Sequence, residues 1–270
     1  MKQWGGIGAK PALPEGRFRS HNRAMIVLFT DFGPAGPYSG QMKAVLHKDA
    51  PGVAVIDLMS DAPACDPMAA AYLLAALAPA FDAGTVFLGV VDPGVGGVRA
   101  PVMVEAGGRW FVGPDNGLFA IAARREEEAR WWEITWRGER LSASFHGRDL
   151  FAPVAARIAK GERPAGEPLD GEGRPGSDWP DDLARVIYVD HFGNAVTGLR
   201  AETLAPGTVL EAAGARFGQV RTFSDAADGE AFWYENADGL AEIAVNRGRA
   251  DAALGLALGA AIEVHAPPAR

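Results

Sequence analysis

The chain reads as an α/β protein: an N-terminal sheet domain with mostly parallel strands, then a smaller C-terminal antiparallel β-domain. Three observations predict this. Short continuous apolar runs occur at residues 25–30 (MIVLFT), 53–58 (VAVIDL) and 85–91 (TVFLGVV). Such runs, rich in β-branched residues, suit strands buried on both faces of a parallel sheet. Helical patterns separate them, and strand–helix–strand order is the signature of an α/β sheet. Beyond a Gly- and Pro-dense stretch at residues 161–182, the pattern changes to short strands with turns.

The elements follow in order. Residues 1–24 have glycine, proline and basic residues but no continuous apolar segment, and are expected to be a disordered leader rather than a secretory signal. The GGIGAK within them has no preceding strand or following helix, so a phosphate loop is not expected. Residues 41–48 place Met42, Val45 and Leu46 on one helical face, closed by Pro51-Gly52. Residues 66–77 open with Asp66 at a cap position and Pro67 at the first helical position. Residues 101–105 and 109–112 flank Gly107-Gly108, a hairpin signal, and residues 131–136 are a further strand. A helix is expected over residues 149–160, ended by Gly161. The expected division is residues 25–162 for the α/β domain, 163–182 for a linker and 183–270 for the β-domain. Strands in the latter are expected in ARVIYVD, NAVTGLR, TVLEAAG, LAEIAVN and AAIEVH.

Composition removes several function classes. A net charge of −8 argues against a nucleic-acid protein, where a basic face is expected. No apolar run approaches the roughly 20 residues that span a bilayer. Cys65 is the only cysteine, so no intrachain disulfide forms, and a reducing, cytoplasmic location is expected. The histidines make no ligand pattern with one another or with Cys65, so no zinc site is expected.

In open α/β sheets, ligands bind beyond the carboxyl ends of the strands. Asp31, Ser60-Asp61 and Asp92 follow the first three runs. Asp31, in TDFG, is either a turn residue or a carboxylate for a ligand diol. The D-F-G letters also occur in kinases, but no lysine strand or catalytic loop accompanies them here. The stretch VVDPGVGGVRAPVMV, residues 90–104, ends a strand on Asp92 and then spends three glycines before Arg99. A phosphate cradle fails on context, because the glycines lead into a strand and no lysine is present. Two readings remain: a wide hairpin with Arg99 in solvent, or a turn tight enough to return Arg99 to Asp92 and hold that carboxylate ionised. His146, before Gly147 at a loop-to-helix junction, suits a site better than a core. Asp190 and Asn194, around Gly193, are either ordinary turn residues or recognition groups for a base edge and an amine. Arg247 is a turn residue or a cation for a ligand carboxylate. Asp61 and Asp66 are read as turn and cap residues.

Taken together, TDFG…PYSGQMKAVL, VVDPGVGGVR, VGPDNGLF, FHGRDLFAP and DHFGNAVTG resemble the S-adenosyl-L-methionine (SAM) hydroxide adenosyltransferases, adenosine-forming SAM hydrolases related to the fluorinase and chlorinase enzymes. The resemblance runs from Met25 to near the C-terminus. It implies hydrolysis of SAM to adenosine and L-methionine, a homotrimer with SAM at subunit interfaces, and no cofactor or metal. It places the hydrolytic triad on Asp92, Arg99 and His146 and the ribose carboxylate on Asp31. It places contacts to the methionine amine and adenine on Asp190 and Asn194, an aromatic against adenine on Phe223, and the late arginine on Arg247.

The departures are specific. Gly36 stands where relatives carry a second aspartate that helps hold the methionine end. Cys65 stands where the halogenating relatives carry a tryptophan, Asp92 where they carry a tyrosine, and Gly147 where they carry a halide-contacting serine. The fluorinase insertion is missing. Water is therefore favoured over halide. A SAM or adenosine sensor without turnover is the alternative of another class, with Gly36 as its support, and a halogenase is a second.

Overall fold

In the computed structural model, residues 24–267 are described. The leader assigned to residues 1–24 therefore lies outside them, Ala24 excepted. A seven-stranded mixed sheet forms first. Its strands are β1 (Met25–Thr30), β2 (Ala54–Met59), β3 (Val86–Val90), β4 (Pro101–Ala106), β5 (Arg109–Pro114), β6 (Ala129–Ile134) and β7 (Gly166–Leu169). Their order is β2-β1-β3-β5-β4-β6-β7, with β2, β1, β3 and β5 parallel and the rest antiparallel to their neighbours. Gly107 and Gly108, both at positive φ, close the β4–β5 hairpin as expected.

Helices α1 (Tyr38–Asp49), α2 (Pro67–Leu77), α3 (Ala120–Arg124) and α4 (Ala152–Ala159) cover the sheet on two sides. Met42 and Leu46 of α1 and Val154, Ala155 and Ile158 of α4 pack on Ile26, Leu28 and Val86. The other face buries Tyr72 and Leu74 of α2 and Ile121 of α3 against Val27, Phe87 and Phe111. α2 starts as its sequence dictates: Asp66 accepts from the Ala69 amide at 2.9 Å and Pro67 occupies the first turn.

Three local expectations change. The helix expected at 149–160 begins with a π-helical turn, Gly147–Phe151, before α4. Pro153 has no amide hydrogen to continue a regular ladder back into that turn. The Gly/Pro-rich segment contributes β7, which pairs with β6, because a strand edge was open there. Residues 53–58 do not form a strand buried on both faces: β2 is the sheet edge, and its Ala54, Ile56 and Asp57 are exposed.

The C-terminal part adds β8 (Leu183–Val189), β9 (Ala195–Arg200), β10 (Val209–Ala212), β11 (Ala215–Phe217), β12 (Ala231–Glu235), β13 (Leu240–Val245), a short helix α5 (Ala250–Leu254) and β14 (Glu263–His265). These make two antiparallel sheets, β12-β13-β9-β8 and β11-β10-β14. Trp233, fully buried between them, donates its Nε1–H to the Thr208 carbonyl at 2.9 Å. Strands β11 and β12 were not anticipated. Asp61 and Asp66 do more than end a turn and cap a helix. Asp61 accepts from the Tyr188 hydroxyl at 2.9 Å and Asp66 pairs with Arg185 at 3.0 Å, so both tie β8 to the first sheet.

Candidate active site

β1 sits between β2 and β3, so the chain crosses to opposite sides of β1 on successive connections. That reversal leaves a crevice at the carboxyl ends of β1 and β3. Thr30 and Val90 are register partners there. The residue that follows β1 is Asp31, and Asp92 follows two residues beyond Val90.

The glycine-rich stretch after β3 settles as two tight turns, with Val95 N–H donating to the Asp92 carbonyl at 3.3 Å and Gly97 N–H to the Gly94 carbonyl at 3.0 Å. Gly96 has φ +78°, and a Cβ there would lie 2.5 Å from the Ala143 carbonyl oxygen. Only glycine fits on both counts. The turns return Arg99 to Asp92: Nε donates to both carboxylate oxygens at 3.1 Å and Nη2 to Oδ2 at 2.5 Å. The hairpin with Arg99 in solvent is not formed. Both side chains are nearly buried, at 10% and 4% exposure. Arg99 Nη2 also lies 2.9 Å from His146 Nδ1, and its guanidinium covers the Phe151 ring at 5.3 Å. The π-helical turn sets His146 at this junction.

Three aromatic contacts fix the surroundings. Phe32, beside Asp31, meets Phe145, beside His146, edge-on at 6.0 Å, and Tyr38 packs against both. Asp31 accepts from the Cys65 amide at 2.9 Å. Burial raises its pKa above the ordinary carboxylate value, against the opposing Cys65 bond, and repulsion from Asp92 adds to the rise. Burial lowers the pKa of His146, and the Arg99 guanidinium lowers it further. Arginine can only donate, so Nδ1 of His146 accepts and the neutral ring carries its proton on Nε2.

Sequence reasoning missed one support. Asn116, of the PDNG segment, donates from Nδ2 to the Val91 carbonyl at 2.8 Å, holding the peptide that leads into Asp92. An asparagine in the turn after β5, the parallel neighbour of β3, was the available signal.

A second group forms on the C-terminal sheets. Asp190 accepts from the Asn194 amide at 2.8 Å and from its side-chain Nδ2 at 3.1 Å. Both line a cleft of about 640 Å³ with Phe192, Phe223, Tyr234, Glu242 and Arg247. Phe223 stands edge-on to Phe232 and Tyr234, at 5.2 and 5.1 Å, forming an aromatic wall. Arg247, at φ +55°, pairs with Asp228 at 2.9 Å on the exposed rim. Glu242 escaped the sequence reading, although a single carboxylate in the apolar run LAEIAV was its signal.

The structure thus brings Asp31, Asp92, Arg99 and His146 together, and separately Asp190, Asn194, Phe223 and Arg247. Among the described residues, no hydrogen bond, ion pair or ring contact joins the two groups. One further set of metal-type donors converges, Glu211, Glu263 and His265, but it lies on β10 and β14, and Arg216 already holds Glu211 at 2.7 Å.

Gly36 has φ +119° and a Cβ there would meet nothing. A side chain is disfavoured by the backbone rather than by space. At Gly147, a Cβ would lie 3.1 Å from the Met42 sulfur, so a serine there would require Met42 to yield.

If Asp31 holds a ribose diol, Asp31→Asn weakens adenosine binding by roughly 1.5–3 kcal/mol, the range for a lost charge-assisted bond. Calorimetry with adenosine checks this, and unchanged affinity would remove the assignment.

Comparison with known proteins agrees with the resemblance. The SAM hydroxide adenosyltransferase N-terminal domain matches residues 26–166 and the C-terminal domain of that family residues 184–263. A Thermus thermophilus protein named (R)-S-adenosyl-L-methionine hydrolase is 40% identical over 247 residues, covering 86% of this chain and 95% of that protein. A Salinispora arenicola protein of the same name is 38% identical over 258 residues, covering 88% and 96%. A crystal structure of an uncharacterized Thermotoga maritima protein superposes with TM-score 0.80 at 30% identity, over 89% of this chain and 99% of that one. The chain belongs to the SAM hydroxide adenosyltransferase family.

Proposed function

We propose that the protein is an enzyme that hydrolyses SAM to adenosine and L-methionine by attack of water on C5′. The observation that carries this is the Asp92–Arg99–His146 cluster at the end of β3, beside Asp31 at the end of β1. The C5′–S bond breaks as the C5′–O bond forms, and the sulfonium leaves as a neutral thioether that needs no acid. The demand falls on aligning a weak nucleophile opposite sulfur. His146, with its proton on Nε2, is a donor to the water. Arg99 donates to both partners through Nε and Nη2 and cannot accept a proton. Asp92 retains free lone pairs and takes the proton, which becomes strongly acidic as the C–O bond forms. No cofactor is required for these steps. A sensor without turnover would leave this nearly buried polar cluster without a task.

The names of the relatives specify the R epimer, and the same preference is proposed here. The deciding experiment incubates purified protein with each sulfonium epimer in halide-free water enriched in heavy oxygen. Adenosine labelled at its 5′-oxygen, formed faster from the R epimer, is the expected product. SAM bound without product would favour the sensor, and unlabelled adenosine would exclude attack by water on carbon.

The separation of the two residue groups within one chain supports a homotrimer, in which the Asp190–Asn194 cleft of one subunit completes the Asp31–Asp92 crevice of the next. Tyr38, Val98 and Phe192, large apolar residues at the edges of the two groups, are 49%, 107% and 71% exposed. Heterologous contacts that close into a ring would cover them. Light scattering is expected to give three times the mass of the chain, and an active monomer would overturn this. No described helix is long and apolar enough to cross a membrane, and a cytoplasmic location is proposed.

The lowered pKa of His146 gives a pH dependence. Protonating Nδ1 sets a second cation against Arg99, so kcat is expected to fall on an acid limb lying below 6.5, the ordinary histidine value. The unfolded chain takes up this proton first as pH drops through that value, so stability declines in the same window. A limb above 6.5 would contradict the geometry.

A further inference from the structure

Glu242 is a buried carboxylate, 5% exposed, in the middle of β13. Among the described residues no arginine or lysine pairs with it. Its partners are neutral donors. The Tyr234 hydroxyl donates to Oε1 at 2.6 Å and Asn236 Nδ2 to Oε2 at 2.9 Å. Burial raises its pKa, and side-chain hydrogen bonding from Tyr234, Asn236 and Asn194 opposes that rise. The register explains the contact. Glu242 is paired with Val196 on β9, and Asn194 lies two residues before Val196 on the same face. A buried charge held only by neutral groups is costly to keep, so its position at the floor of a ligand cleft calls for a task.

An asparagine amide has two N–H donors and one carbonyl acceptor. One donor of Asn194 is held by Asp190 Oδ2 at 3.1 Å, and the register sets the Glu242 side chain on the side of the other. Only the carbonyl Oδ1 is left to face a ligand. Flipping the amide would turn that oxygen toward two carboxylates.

We propose that Glu242 is a positioning residue that locks the Asn194 amide, so that the cleft accepts a purine with an amino group at C6 and rejects one with a carbonyl there. This rests on the reading that the cleft holds the base of SAM. The amino group of a 6-aminopurine donates to Oδ1, whereas a 6-oxopurine sets oxygen against oxygen. A site committed to one hydrogen-bonding sense discriminates strongly against the opposite one.

Calorimetry on the full chain with adenosine and with inosine tests this. The native protein is expected to bind adenosine at least about tenfold tighter than inosine, and Glu242→Gln to lower that ratio about tenfold, because a glutamine can accept from Tyr234 while no longer fixing both donors of Asn194. Asp190→Asn, which retains an acceptor for the Asn194 backbone amide, shifts the ratio in the same direction. It serves alone if Glu242→Gln does not fold. A purely structural role predicts that both nucleosides weaken equally and the ratio stays, which would overturn the proposal. Equal binding of the two nucleosides by the native protein would overturn it as well. A native protein that binds neither nucleoside would instead refute the underlying reading of the cleft, and the proposal with it.

Discussion

Asp92→Ala and His146→Ala are each expected to lower kcat by about 10²–10⁴-fold, the range for general-base assistance, while the affinity for adenosine changes little. Neither side chain is assigned to hold the substrate. Arg99 links them, donating to Asp92 through Nε and Nη2 and to His146 Nδ1 at 2.9 Å. Groups that act on one water form a unit, and losses within a unit do not add. The double variant is therefore expected to be little slower than the slower single variant. Single-turnover rates with SAM, beside adenosine calorimetry, check both parts. Losses that multiply would separate His146 from Asp92 and leave the histidine with a structural role at the π-helical turn.

Arg99→Met is expected to destabilise the fold by about 3–5 kcal/mol, because it removes one partner of a nearly buried pair and leaves the Asp92 carboxylate without a counter-charge. The methionine keeps much of the apolar contact with Phe151, so the loss reports charge rather than volume. Urea unfolding measures it. Asp92→Asn on top of Arg99→Met should return a large part of the stability, since no charge is then stranded, but none of the activity. A single variant as stable as the native protein would show that Asp92 is better hydrated than its 4% exposure implies.

Much of the N-terminal half was legible in advance. A continuous apolar run ending in Asp31 or before Asp92 can be satisfied by few arrangements other than a buried parallel strand, and Asp66-Pro67 marks a helix start through local bonding alone. The weaker readings were those that depend on distant partners. β7 lies in a segment with almost no apolar content and forms because β6 offers an open edge. β11 and β12 are short strands whose register is set across the sheet rather than within the segment. Residues 53–58 have the apolar content of a buried strand, yet β2 is an edge with Ile56 exposed. Periodicity reports the burial a segment is suited for, not whether its own chain supplies the cover.

The candidate site divides in the same way. By itself the sequence determined the residue types and their order: carboxylates at strand ends, glycines before Arg99, a histidine at a helix junction, and motifs shared with one family. Those are properties of short segments, and local backbone chemistry fixes them. Tertiary structure alone decided that Arg99 reaches both Asp92 and His146, that Asn116 props the peptide before Asp92, that Arg247 pairs with Asp228 at the rim, and that Glu242 shares a cleft with Asn194. Each joins side chains from separate segments. Their hydrogen bonds are set to within a few tenths of an ångström by the packing of sheets and turns, which no pattern within a single segment encodes.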